Sequence, residues 1–381
     1  MQKLRWGLIG GGDGSQIGFT HRAAAQLDAN FYFDAGALDI DPKESYIFGK
    51  KLGLSDQKTY GSWQEMLEKE KNLNTKDRLD LVTVATPNST HFEITKSFLK
   101  EGFNVLCEKP LTMTVEQAKE IIKISNDTGK ICAVNYGYSG YPLVRQMRSM
   151  VLNDDLGDIR IVFAEFAGGF MADSSDEDNP RVKWRFSAKH AGMAAITIDC
   201  GIHALNLACF VTDKKVVKVS SDFFSGVKSR ELEDDNFTSF RMEDGVAGRL
   251  WTSGLAIGRT HGLTLQVFGS KGGLFWKQEQ PNQLFWTPLN EHTRIIERGH
   301  ENLYASAKRS NKITIGHPEG MIAAFSNIYK DLFDLISARK KDSTPDKFAL
   351  SYPSAEDGCH SLEIVRAMKK SVSLDGRWTS V

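Results

Sequence analysis

The sequence predicts an α/β chain: a doubly wound parallel sheet first, then an α+β domain built on a mostly antiparallel sheet. Three observations predict it. A short apolar run, Leu4 to Gly10, leads into a glycine-rich turn with six glycines between Gly7 and Gly18. Strand-like and helix-like segments then alternate as far as about residue 138. Beyond that point the rhythm changes to closely spaced strand-like stretches with hairpin signals between them.

In order, "LRWGLIG" (4–10) reads as a strand, and 15–28 as a helix with Ala and Leu at helical spacing and no proline. "FYFDAGALD" (31–39) reads as a second strand. "EKEKNLNTKDR" (68–78) reads as a charged surface loop. "LDLVTVATP" (79–87) is a continuous β-branched run, as a strand buried on both faces requires. A helix is expected over 89–102, with Ser89 near its N-cap and Gly102 as its stop. "NVLCEKP" (104–110) is a further buried strand, 114–129 a helix capped by Thr114, and "ICAVNYGY" (131–138) another strand. The boundary is placed at 136–142, giving domains 1–138 and 139–381. In the second domain, strands are expected over 157–170, 216–226, 235–243, 246–256, 261–268 and 272–276. "EDG" (243–245) and "GSKGG" (269–273) supply turns, helices are expected near 193–211 and 319–339, and "ADSSDEDNPR" (172–181) reads as a mobile surface loop.

Composition narrows the function. Acidic and basic residues balance at 48 each, so no net field draws the chain to nucleic acid or to an anionic membrane. No signal peptide and no membrane-spanning run is expected. The five cysteines form no CxxC pair and read as thiols of a reducing cytoplasm. His261, His292 and His300 lack metal-ligand spacing with Asp, Glu or Cys, and no metal site is expected.

The glycine turn carries the first chemistry. A dinucleotide-binding turn follows a strand, opens a helix and has an acid about 20 residues further on. Gly10 and Gly12 supply the tight turn and bare backbone, and the helix N-terminus supplies N–H groups for a pyrophosphate. "DGSQI" lengthens the loop before Gly18, which is expected to pack helix against strand. Gly10, Gly12, Gly14, Ser15, Gln16 and Ile17 are the candidate phosphate contacts. Asp39, 21 residues past Gly18, can accept from both ribose hydroxyls and would repel a 2′-phosphate, favouring NAD over NADP. Glycines alone would equally serve a flexible loop in another α/β protein; strand, helix and Asp39 together favour the nucleotide.

With this turn, "ATPNSTH" (85–91), "CEKPL" (107–111) and "DCGIH" (199–203) make the chain resemble the Gfo/Idh/MocA oxidoreductases, the glucose–fructose oxidoreductase and inositol dehydrogenase family. The likeness runs to the ending, "DGCHSLEIVRAMKKSVSLDGRWTSV" (357–381). It implies a Rossmann domain and a second domain with a large open sheet, the C-terminal helix packing back on the first. It also implies a homo-oligomer, dimer or tetramer, and NAD(P)-dependent oxidation of a hydroxyl on a sugar or cyclitol. The long glycine turn, "YSGYPLVRQ" (138–146) and "GHPEG" (316–320) resemble a subgroup similar to scyllo-inositol and L-glucose dehydrogenases.

Oxidising a secondary alcohol needs a base for the hydroxyl proton and a donor or cation for the developing alkoxide. Lys109 is expected at the carboxyl end of a parallel strand, where open α/β sheets place their ligands. The resemblance implies that it holds the substrate hydroxyl and that its bond to Pro110 is cis; a structural lysine paired with Glu108 is the alternative. Asp199 and His203 lie four apart, on one face if helical. His203 suits the general base, and Asp199 would orient it and accept from a neighbouring hydroxyl. The resemblance implies cofactor contacts by Thr86, Pro87, Asn88, His91, Glu108 and Lys109, against helix capping as the plainer role of Asn88. His21, a few residues past Gly18, reads equally as a cofactor-side or a packed histidine. Arg185 beside Trp184 suits a polyol, with Tyr138, Tyr141 and His317 as further substrate candidates; packing or turn roles are the alternative for each. The other enzyme reading is an NAD-using glycoside hydrolase, and the non-enzyme reading a non-catalytic NAD-sensing regulator, which the presence of Lys109, Asp199 and His203 disfavours.

Overall fold

The computed structural model describes residues 3–178 and 183–381, apart from the side chains of Asp176, Glu177 and Trp184. Two compact units emerge: Met1–Gly137 with Met321–Cys359, and Tyr138–Gly320 with His360–Val381.

The first unit opens with β1 (Leu4–Gly10), α1 (Gln16–Leu27), β2 (Phe31–Ala37), α2 (Pro42–Lys51), α3 (Trp63–Lys71), β3 (Leu81–Ala85), α4 (His91–Lys100), β4 (Asn104–Cys107), α5 (Val115–Thr128) and β5 (Cys132–Val134). The strands form one sheet in the order β2-β1-β3-β4-β5, with every pairing parallel. The doubly wound expectation holds. All of β3, Leu-Val-Thr-Val-Ala, is buried, as a central parallel strand must be. Thr114 caps α5 by accepting from the Gln117 amide, and Gly129 ends it at φ +64°. Two details differ. A 3₁₀ turn, Asn88–Thr90, takes the place of the expected Ser89 cap, so α4 starts at His91. The charged stretch from Glu68 begins inside α3, because Glu70 turns inward and is fully buried against Lys58 and Tyr60.

The second unit follows with α6 (Pro142–Leu152), β6 (Ile159–Ala167), α7 (Ala188–Ala191), α8 (Ile202–Thr212), β7 (Val216–Phe224), β8 (Asp235–Met242), β9 (Ala247–Ser253), β10 (Leu263–Gly269), β11 (Gly272–Lys277), β12 (Gln283–Pro288), β13 (Arg294–Glu297) and α9 (Ala305–Ser310). Along β8, Asn236, Thr238, Phe240 and Met242 are buried, while Phe237 between them is 55% exposed. That alternation marks a sheet with one covered and one open face. The open face is apolar in part: Phe237 stacks on Trp251, and Ile161 and Phe268 are exposed.

The chain closes with α10 (Met321–Lys340), α11 (Ala355–Val372) and β14 (Thr379–Ser380). The second sheet thereby has nine strands in the order β13-β12-β11-β10-β6-β9-β8-β7-β14, antiparallel except for β6 beside β9. Residues 321–359, placed in the second domain by the sequence reading, belong to the first unit. The reason is packing. Phe325, Ile328, Tyr329, Leu332, Phe333 and Ile336 of α10 join Trp6, Leu8, Ala24, Phe31 and Leu81 in one buried cluster. Each buried Leu, Ile or Phe among these contributes roughly 1.5–3 kcal/mol. A change of rhythm along the chain cannot report which core a late helix enters.

Candidate active site

The glycine turn is bare because its backbone is crowded. Gly10, Gly11 and Gly14 take φ of +76°, +68° and +73°. A Cβ at Gly12 would stand 2.6 Å from the Leu38 carbonyl oxygen and 3.1 Å from Asp39 Oδ2. One at Gly18 would stand 2.2 Å from the Gly11 carbonyl oxygen. Ser15 caps α1, its Oγ accepting from the Gly18 amide, and Gln16 and Ile17 form the first turn. Asp39, just past β2, has one carboxylate oxygen beside Gly12 and the other accepting from the Asp41 amide at 2.9 Å. A helix N-terminus, a side-chain-free turn and a neighbouring carboxylate fit the pyrophosphate and ribose of a dinucleotide.

The ends of β3 and β4 carry the next group. Thr86 is half-buried, Pro87 exposed and Asn88 buried. His91 is fully buried, its Nδ1 2.7 Å from the Pro110 carbonyl oxygen and its Nε2 2.9 Å from that of Thr86. Lys109 is half-buried, and its bond to Pro110 is cis. Its amide donates to Glu108 Oε2 at 3.1 Å.

Glu108 anchors a buried chain of hydrogen bonds. Trp6 Nε1 donates to Thr83 Oγ1 (2.9 Å), which lies 2.9 Å from the Tyr329 hydroxyl. That hydroxyl is 2.8 Å from His21 Nδ1, and His21 Nε2 is 2.9 Å from Glu108 Oε1. Every group is paired if each hydroxyl passes its proton one way, towards His21 Nδ1, with the His21 Nε2–H donating to the carboxylate. His21 is therefore a packed histidine tied to the Lys109 turn. Burial opposes the Glu108 charge, but His21, Asn135 and Lys109 outweigh it and hold the carboxyl down at about 2. A depressed carboxyl contributes stability above its unfolded pKa, near 4.5, that is lost as pH falls towards 2. Glu108→Gln should remove about 3 kcal/mol of that acid-limb dependence, read from urea unfolding between pH 5 and 2.5; an unchanged limb would contradict the assignment.

In the second unit, Asp199 lies in a π-helical turn, Thr197–Gly201, that runs straight into α8. Such turns cost regular helical bonding and occur often at functional sites. Glu233 fastens this one: its carboxylate accepts from the Ala195 and Thr197 amides, each at 3.0 Å. Burial pushes the Glu233 carboxyl up, with those amide bonds opposing. Asn236 Nδ2 donates to Thr197 Oγ1 at 3.0 Å. Asp199 Oδ2 meets Arg185 Nε at 2.9 Å, with both side chains partly exposed. His203 follows in the first turn of α8, and Tyr138 packs edge-on against its ring at 4.9 Å. The Tyr138 hydroxyl is 3.0 Å from His261 Nε2.

So Arg185 and Asp199 meet, and His203 and Tyr138 meet. Tyr141 is fully buried behind them, stacked on Tyr138. His317 is exposed on a loop whose described contacts run elsewhere: Nδ1 to Thr314 Oγ1 at 3.3 Å, and its carbonyl to Arg298. The Trp184 side chain, residues 179–181 of the expected mobile loop and residue 182 lie outside the described residues. Sequence reasoning missed Tyr329, Asn135, Glu233 and His261, each far along the chain from the group it supports. Among the described residues no cluster of His, Cys, Asp or Glu could hold a metal, the cysteines are free, and no helix is long and apolar enough to cross a membrane.

Comparison with known proteins agrees with this arrangement. Residues 4–136 match the family described as "Oxidoreductase family, NAD-binding Rossmann fold", and residues 144–275 match the "GFO/IDH/MocA C-terminal domain". The chain is 32% identical to an uncharacterised oxidoreductase, YfiI, of Bacillus subtilis, over 98% of this chain and 96% of that one. It is similar to the crystal structure of an inositol dehydrogenase homolog of Azotobacter vinelandii with NAD+, at 35% identity and a TM-score of 0.94, covering 100% of this chain and 98% of that one. The same homolog with NADH and myo-inositol gives a TM-score of 0.91 at 35% identity and the same coverage. A crowded glycine turn with its acid, a cis-proline lysine turn and a π-turn Asp–His pair thus occur in a chain that belongs to the Gfo/Idh/MocA oxidoreductase family and carries its NAD-binding Rossmann domain.

Proposed function

We propose that this protein is a dehydrogenase that oxidises a ring hydroxyl of a cyclitol or pyranose sugar with NAD. Bound NAD supplies a hydride acceptor. Gly10, Gly12, Gly14, Ser15, Gln16, Ile17 and Asp39 would hold its phosphates and ribose, and Thr86, Pro87, Asn88, Glu108 and Lys109 its nicotinamide side. Lys109 and His203 handle the hydroxyl proton: Lys109 donates to the alkoxide as charge develops, and His203 takes up the proton. The observation that carries the reading is the Asp199–Arg185 pair one turn before His203. A carboxylate that accepts and a guanidinium that donates suit adjacent hydroxyls of a polyol, beside an imidazole that can take up a proton. Tyr138 and His317 are assigned to the substrate as well. The inositol dehydrogenase homolog with myo-inositol supports the cyclitol end of this range.

The second unit is assigned substrate binding and self-association, with the partly apolar open face of its sheet as the contact surface. We place the enzyme in the cytoplasm on its free thiols. The test is absorbance at 340 nm with NAD or NADP against inositols, D- and L-glucose and glycosides. Steady NADH formation from a free cyclitol or sugar is expected, with NAD preferred over NADP by at least about tenfold through Asp39. Sugar release from a glycoside that requires NAD but forms no net NADH would replace this reading with the hydrolase.

A further inference from the structure

His91 is fully buried at the start of α4, and both of its ring nitrogens face backbone carbonyls: Pro110 at 2.7 Å and Thr86 at 2.9 Å. A carbonyl can only accept, and a neutral imidazole has a single N–H. In either neutral tautomer one nitrogen lone pair would point at a carbonyl lone pair at hydrogen-bonding distance, with no water able to intervene at a fully buried site. Only the doubly protonated ring satisfies both contacts. Two forces oppose that charge: burial, and the N-terminus of α4, whose first residue is His91 and whose dipole disfavours a cation. What favours it is two charge-assisted bonds and the Cys107 sulfur on β4, the titratable group beside the ring. Burial pulls the ring down, yet Cys107 and the two carbonyls outweigh it and push it up to about 9.

The two carbonyls belong to different turns. Thr86 begins the turn after β3 that carries Pro87 and Asn88; Pro110 closes the turn after β4 that carries Lys109. We propose that His91 is kept as an imidazolium whose two N–H donors hold these turns in register, making it a positioning residue for Lys109. The second clause rests on the reading of Lys109 given above; the first does not.

The experiment is a long-range proton–nitrogen correlation spectrum of the full-length protein labelled with ¹⁵N-histidine, without added ligand. At pH 8 a free histidine is about 97% neutral. One ring of the wild-type protein is expected to remain doubly protonated at that pH, and its signal to vanish in His91→Gln. A wild-type spectrum with no doubly protonated ring at pH 8 overturns the proposal without requiring any variant to fold. The positioning clause is read from kinetics. His91→Leu, with no donor, should lower kcat at least about 30-fold while KM for NAD changes less than about threefold, and His91→Gln, which restores a donor, should recover part of the loss. A kcat within twofold of wild type in His91→Leu overturns the positioning clause. If Lys109→Met retains turnover, the reading of Lys109 fails instead, and the ring's protonation still stands or falls on the spectrum.

Discussion

Lys109→Met is expected to lower kcat by about 10³-fold while NAD still binds. Methionine matches the length and much of the volume of lysine but carries neither charge nor N–H. Removing one donor at a developing oxyanion costs about 10²–10³-fold, and a positioned acid or base is worth about 10²–10⁴-fold. On the proposed mechanism His203 remains in the variant to take up the proton, so a residual rate is expected. The substitution should leave the turn in place, because the bonds described there do not use the Lys109 side chain: the Lys109 amide donates to Glu108 Oε2, and the Glu108 carboxylate is held by His21 and Asn135. Steady-state kinetics on the preferred substrate, with NAD titrated by intrinsic fluorescence, separates the two effects. A kcat within tenfold of wild type would reject the assignment.

Gly18→Val should damage both the stability of the first unit and its hold on NAD. A Cβ at that position meets Gly11 backbone at 2.2 and 2.4 Å, and backbone cannot rotate away as a side chain can. Helix α1 must therefore lift from the turn. Overpacking of this kind costs up to about 3 kcal/mol or more, roughly 10 °C in Tm for a unit of this size. NAD affinity should fall at least about 100-fold, since the helix N-terminus moves from its place. Gly14→Ala is the control. Gly14, unlike Gly18, has positive φ, but nothing lies within 4 Å of its Cβ position, so only conformational strain of about 1 kcal/mol is expected. Equal effects of the two substitutions, in calorimetry and NAD titration, would show that space at Gly18 is not what matters.

Much of this was legible in the sequence because it is local. The β-branched run of β3, the Thr114 cap and the glycine turn each declare themselves within a few residues. So do Lys109, Asp199 and His203, through short motifs. What was not legible depends on distant partners. Glu233 reads as one acid in a charged stretch until the fold lays it under the Ala195 and Thr197 amides. Helices α2 and α3 are short and highly charged, with too few apolar positions to fix a period. Strands β12 and β13 lie at one edge of the second sheet, where alternation is weakest. For His91 the motif gives the position, but its role follows from two carbonyls that belong to neighbouring turns.

The return of α10 to the first unit has a consequence for how the protein is made. Trp6, Leu8 and Phe31 leave the ribosome some 300 residues before the helix that covers them. At about 5–20 residues per second, that interval is of the order of 15–60 seconds. Once β5 is made at Val134, the N-terminal sheet has its strands, but the apolar face that α10 will cover is only partly filled by Ala24, Ala25 and Phe48 while residues 138–320 are being synthesised. Vectorial synthesis therefore delivers the first segment early and finishes it late. The nascent N-terminal segment is the part of this chain most in need of chaperone shelter, and a fragment ending at Gly137 would expose that face permanently.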